Sequence, residues 1–234
     1  SAVKMPKSVY CRAVIGLFAA MVILTLTFGT LVPPGMAIMP AVLGLLVGLS
    51  VGLAMVIAIP LAIAVRRRRV AAAITTGSAT VFYTIPSLAL FAIMVSIVGI
   101  GRLPAVLALA GYAVGIVLRN TLTGLREVPS AALEAARGMG LTSRQTLTRV
   151  ELPLAVPAIL AGVRLATIET VAIGTIAAFV AAGGLGSLIY THGIQRDLFL
   201  TPILVGSVIA VLMALILDRA LVLAQRLATP WTRR

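Results

Sequence analysis

Cysteine, histidine, lysine and acid are all scarce in this 234-residue chain, and each scarcity closes a class of function. The one cysteine, Cys11, has no intrachain partner for a disulfide, and the one histidine, His192, leaves no His/Cys cluster for a structural metal. The lysines are Lys4 and Lys7, and neither follows a glycine-rich turn. The chain therefore lacks the G-x-x-x-x-G-K-[ST] loop that grips a nucleotide phosphate, and it does not hydrolyse ATP by that route. Aromatic residues are 5% and charged residues 11%. Typical globular domains carry about 25% charge, so a soluble enzyme and a disordered tail are both excluded.

What the chain has in excess is apolar length. Hydrophobic residues make up 61%, too many for a fold of this size to hide from water. About 20 apolar residues at 1.5 Å per residue cross the hydrocarbon, and six segments qualify: roughly 13–32, 38–65, 71–98, 103–125, 154–182 and 199–223. The first follows Lys4, Lys7 and Arg12 and ends in Pro33-Pro34. It reads as a retained span, being longer than a signal-peptide core of about 7–15 residues. The third is interrupted at Thr84-Ile85-Pro86-Ser87, and the fifth ends at Gly183-Gly184-Leu185-Gly186. The expectation is an all-α membrane protein of one domain, 1–234, with six transmembrane helices.

The net charge of +13 has a membrane explanation. With the N-terminus inside, fourteen Lys and Arg fall on cytoplasmic segments, including Arg66 to Arg69, against Arg102 and Arg196 outside. Basic residues collect in cytoplasmic loops, so the topology reads N-in and C-in. Arg119, Arg164 and Arg219 lie near inner helix ends and read as snorkelling side chains, with Asp218 interfacial. Pro60, Pro86, Pro157 and Pro202 mark kinks that a helix bundle tolerates. Gly44, Gly48 and Gly52 recur every four residues, as do Gly111 and Gly115, and such stripes read as helix packing.

The longest polar stretch, 126–153, reads as two short cytoplasmic helices. The first runs from about Ser130 through residues that favour helix and is ended by Gly138 and Gly140. The second opens at Thr142 with Gln145 three residues on, a capping-box pattern, and runs to about Val150; Pro153 then starts the next span. The outline is that of a DNA-reading helix–turn–helix, and Arg137, Arg144 and Arg149 suit phosphates. A loop of about 25 residues held at both ends by spans cannot readily enter a major groove, so nucleic acid is not an expected partner.

Glu134-Ala135-Ala136, Gly140 four residues later, and Leu152-Pro153 resemble the EAA loop of ABC importer permeases. Further strings narrow the resemblance: Thr84-Ile85-Pro86-Ser87-Leu88-Ala89, Arg119-Asn120-Thr121 with Thr123-Gly124, Val150-Glu151-Leu152-Pro153-Leu154, and Ala182-Gly183-Gly184-Leu185-Gly186. Over roughly 40–220 the chain is similar to the osmoprotectant branch, which imports glycine betaine, choline, carnitine and related quaternary amines. The resemblance implies a MetI-like permease fold in the bacterial inner membrane. It implies that Glu134, Ala135, Ala136, Gly138, Gly140, Leu152 and Pro153 couple to an ATPase. The implied partners are a cytoplasmic ABC ATPase dimer carrying ATP and Mg, a second permease copy or close paralogue, an extracytoplasmic substrate-binding protein and membrane lipid. The chain itself holds no cofactor. Other readings of the same loop are an importer of amino acids such as methionine, or an ion-driven secondary transporter.

Pathway residues are expected at Pro86, Ser87, Tyr83, Tyr112 and Glu169. Ionisable groups at membrane depth face a partner or a cavity. Glu169 is therefore neutralised by an inter-helix hydrogen bond or Arg119, or it lines a route for a cationic solute. Phe82, Tyr83 and Tyr112 offer ring faces to a quaternary amine, but the sequence shows no cluster of three and membrane packing or interface placement is the favoured reading. Ser187 and His192 lie five residues apart in one glycine-rich segment, which does not suit a protease dyad.

Overall fold

The structure, a computed structural model, describes residues 38–228. The expected span at 13–32 and both basic termini lie outside those residues. The described helices, in order, are α1 (Ile38–Val65), α2 (Arg69–Thr84), α3 (Ser87–Val98), α4 (Arg102–Arg126), α5 (Ser130–Gly138), α6 (Ser143–Thr146), α7 (Leu152–Ile176), α8 (Leu185–Ile189) and α9 (Leu200–Ala228). Helices are the expected outcome, because a span must satisfy every backbone donor and acceptor within itself. Four helices are long and apolar enough to cross a membrane, and a fifth span results if the bent α2–α3 pair counts as one.

Helix α4 is the central post, packed between α1 and α7, with α2 and α3 on a further side. The core is built from small and β-branched residues that let backbones approach: Val47, Val51, Ala54 and Ala58 of α1, Ala113 and Val117 of α4, Val163 and Ala166 of α7. Met213 and Leu217 of α9 close it. Ser50 ties α1 to α4 by donating to the Val106 carbonyl at 3.2 Å. Thr121, Thr167 and Thr170, all buried, donate to carbonyls four residues back, so none of these three hydroxyls is stranded.

One segment breaks where the sequence places the interruption, and one begins earlier than read. The stretch 71–98 divides between Thr84 and Ser87 into two helices meeting at 96°. Proline disfavours helix at the preceding residue, and Ile85 is extended there (φ −65°, ψ 126°). The buried Tyr112 hydroxyl donates to the Ile85 carbonyl and holds the corner. The stretch 154–182 begins earlier than expected. Helix α6 passes through a π turn, Leu147–Glu151, into α7 and then a 3₁₀ turn, so helix is continuous over Ser143–Val180. Pro153 does not interrupt it, since Pro is tolerated in the first turn of α7, where its missing N–H matters least. Pro60 and Pro157 lie inside helices that continue through them. The turn expected at Gly183-Gly184 is present, both residues having positive φ.

Candidate functional site

The first site is the helix pair 130–146. Its turn is closed by backbone: Met139 N–H donates to Ala135, Gly140 N–H to Arg137 and Leu141 N–H to Ala136. Gly140 makes this possible at φ +72°, a region that L residues rarely adopt. Gly138 is different; it is the last residue of α5 and has no positive φ. The capping box is formed, with Thr142 N–H donating to Gln145 Oε1 at 2.9 Å and Gln145 N–H to Thr142 Oγ1 at 3.4 Å. Ala136 is fully buried, while Glu134, Ala135, Arg137, Gly138 and Met139 face outward. The exposed Glu134 and the 71% exposed Met139 give this helix pair a mixed charged and apolar surface, suited to docking another protein.

This pair is anchored to the bundle by two of the arginines that follow α1. Arg66 Nε donates to Glu151 Oε2 at 2.7 Å, and its Nη1 donates to the Ile63 carbonyl at 2.6 Å. Arg67 lies 3.5 Å from the other Glu151 oxygen and donates to Ser143 Oγ at 3.3 Å. The loop after α1 thus grips both α6 and the π turn. Leu152 packs with Leu125, Ala155 and Ile159 at the same level, and Pro153 is half-buried beside it. The signal available in sequence was Glu151, one of only six acids, set at the foot of an apolar run.

The second site is a cavity of about 270 Å³ between α2, α4 and α7. Tyr83, Gly115, Arg119, Asn120, Leu165 and Glu169 line it. Of the expected pathway residues it gathers Tyr83 and Glu169, and leaves out Pro86, Ser87 and Tyr112. Pro86 and Ser87 form the α2–α3 corner, and Tyr112 braces it. Phe82, Tyr83 and Tyr112 do form a ring cluster, with edge-on contacts of 6.0 and 5.6 Å about Tyr112. Sequence spacing hides it, because α2 and α4 bring the rings together across the bundle. Arg119 makes no ion pair with Glu169; it donates to Thr80 Oγ1 at 2.6 Å. Among the described residues Glu169 makes no hydrogen bond or ion pair.

Other charges also differ from expectation. Arg164 and Asp218 form a two-pronged ion pair joining α7 to α9, one contact at 3.0 Å, rather than separate interfacial groups. His192 Nδ1 lies 3.2 Å from the Ser187 carbonyl, while Ser187 Oγ donates to the Gly184 carbonyl, so the two side chains do not form a dyad. The glycine stripes divide. Gly44 and Gly48 are buried in α1 and Gly52 half-buried. A Cβ on Gly111 would lie 2.5 Å from the Phe82 ring, whereas one on Gly115 would make ordinary contact with Ala79 at 3.5 Å. Gly162 of α7, outside either stripe, leaves no room against α4, since a Cβ there would lie 2.4 Å from Asn120 Cβ.

Residues 52–234 match the family described as "Binding-protein-dependent transport system inner membrane component". The chain is 37% identical over 169 residues to the choline transport system permease protein OpuBB of Bacillus subtilis, covering 72% of this chain and 76% of that one. The glycine betaine/carnitine/choline transport system permease protein OpuCB of the same organism is 36% identical over 169 residues, with the same 72% and 76% coverage. The osmoprotectant import permease protein OsmW of Salmonella typhimurium is 39% identical over 173 residues, covering 72% and 80%. Among solved structures, the inward-facing MetNI methionine ABC transporter superposes with a TM-score of 0.70 at 24% identity, over 80% of this chain and 93% of that one. That likeness bears on the fold.

Proposed function

Because the chain belongs to the family of inner membrane components of binding-protein-dependent transport systems, we propose that it forms half of the membrane pathway of an ATP-driven importer for quaternary-ammonium osmoprotectants. Membership makes it a multi-pass transport subunit of the bacterial inner membrane rather than an enzyme, and implies an ATPase partner and a substrate-binding protein. The solute class rests on one observation: relatives 36–39% identical over 72% of the chain are permeases for choline, glycine betaine, carnitine or osmoprotectants.

In this reading the outward face of α5, with Glu134, Ala135 and Met139, meets the ATPase on the cytoplasmic side, N-in and C-in. Movement there enters α7 directly, because helix is unbroken from Ser143 to Val180, and enters α1 through Arg66 and Glu151. A rigid tilt of packed spans is the expected consequence. A second copy or close paralogue completes the pathway, the ATPases act as a pair carrying ATP and Mg, and lipid surrounds the remaining apolar faces. Methionine as solute is supported by fold likeness alone.

The test is purification of the tagged chain from its own host, followed by a thermal-shift screen of its binding protein against betaine, choline, carnitine and amino acids. We expect the ATPase to co-purify and the quaternary amines to raise the melting temperature. Stabilisation by an amino acid alone overturns the solute assignment.

A further inference from the structure

We infer that the cavity between α2, α4 and α7 is a transit site for a small zwitterion, with its quaternary ammonium against Glu169 and Tyr83 and its carboxylate against Arg119. The inference rests on the reading of this chain as a pathway subunit and adds to it where the solute pauses and which groups it presents.

Glu169 lies on the span Ser143–Val180, seventeen residues beyond Leu152. A carboxylate within a membrane span is costly and calls for a partner. Arg119 lines the same cavity, yet bonds Thr80 instead. Glu169 has neither a hydrogen bond nor an ion pair among the described residues. A quaternary ammonium has no N–H to donate, so charge and ring faces recognise it rather than hydrogen bonds. Glu169 and Tyr83 both line the cavity and supply that combination.

The opposite charge is also provided. Arg119 uses one amino group on Thr80, and its fork has further N–H donors suited to a carboxylate. Asn120, beside it, spends its amide nitrogen on the Ile116 carbonyl at 2.9 Å. Gly115 and Ala79 keep the floor open where a larger side chain would fill it. A volume of about 270 Å³ suits a solute of betaine size. A plain cation such as choline engages only the Glu169 side.

The test uses the assembled importer (permease, ATPase and binding protein) in proteoliposomes, with labelled glycine betaine and choline. Glu169→Gln should lower uptake of both at least tenfold. Arg119→Gln should lower betaine uptake about tenfold and leave choline within twofold, with Arg119→Lys partly restoring betaine. ATPase activity stimulated by the binding protein reports assembly. If wild-type importer carries neither solute, the osmoprotectant reading fails and this inference with it. Normal betaine uptake by both variants overturns the inference alone, and so does equal loss of both solutes in Arg119→Gln.

Should a variant fail to assemble, Leu165→Cys on a Cys11→Ser background keeps both charges. Glycine betaine should then slow modification of that thiol by a trimethylammonium methanethiosulfonate at least fivefold. An unchanged rate overturns the inference.

Discussion

Glu151, at the foot of α7, receives the Arg66 guanidinium at 2.7 Å, and the two side chains are only 9% and 14% exposed. The pair joins the loop after α1 to the π turn that carries the helix pair into the bundle. Removing one partner of a buried pair typically costs about 3–5 kcal/mol. With some solvent access and Arg67 nearby, Glu151→Gln should cost about 2 kcal/mol. Arg67 is 55% exposed, so Arg67→Ala should cost under about 1 kcal/mol. The double change Arg66→Met with Glu151→Leu should recover most of the loss, since apolar replacements of a buried pair are often neutral. A double-mutant cycle on detergent stability measures all three.

Gly138 and Gly140 separate by backbone. Gly140→Val places a β-branched residue at φ +72° and should cost about 1–3 kcal/mol. Gly138 has no positive φ and open space around a new Cβ. Gly138→Ala should therefore be neutral or stabilise by up to about 1 kcal/mol. Melting curves of the two variants, with ATPase co-purification alongside, decide the matter.

Glu134 is exposed and free for an external partner. A charge-assisted hydrogen bond from an ATPase groove is worth about 1.5–3 kcal/mol. Glu134→Lys should weaken ATPase binding by ten- to a hundredfold, leaving the permease folded. Pull-down of the ATPase reads the effect, and undiminished capture with normal uptake removes the docking role.

Helix packing gives a contrast between two glycines of similar appearance in sequence. Gly162→Ala drives a methyl to 2.4 Å from Asn120 Cβ, next to the α4 backbone, and overpacking of this kind costs about 1–3 kcal/mol. Gly115→Ala meets Ala79 at 3.5 Å and should change stability by less than about 0.5 kcal/mol. Thermal unfolding followed by circular dichroism provides the comparison.

Apolar runs made the helices legible, because length and composition decide membrane spans with little help from packing. Thr142 and Gln145 likewise announced the second short helix, a purely local signal. What was hidden depends on elements distant in sequence. Glu151 meets Arg66 across 85 residues and Arg164 meets Asp218 across 54, so charge counts alone assign each to an interface. The 96° corner needed both the local bias of Pro86 and the remote hydroxyl of Tyr112. The four-residue repeats at Gly44–Gly52 and Gly111–Gly115 point to packing, yet the unrepeated Gly162 and Gly124 also leave no room for a Cβ between α4 and α7.

Labelled glycine betaine should accumulate in proteoliposomes holding the permease, its ATPase and its binding protein. Accumulation should require ATP and the binding protein and be abolished when the ATPase is omitted. Uptake that persists without ATP, driven by an ion gradient, would make the chain part of a secondary transporter and refute ATP-driven import.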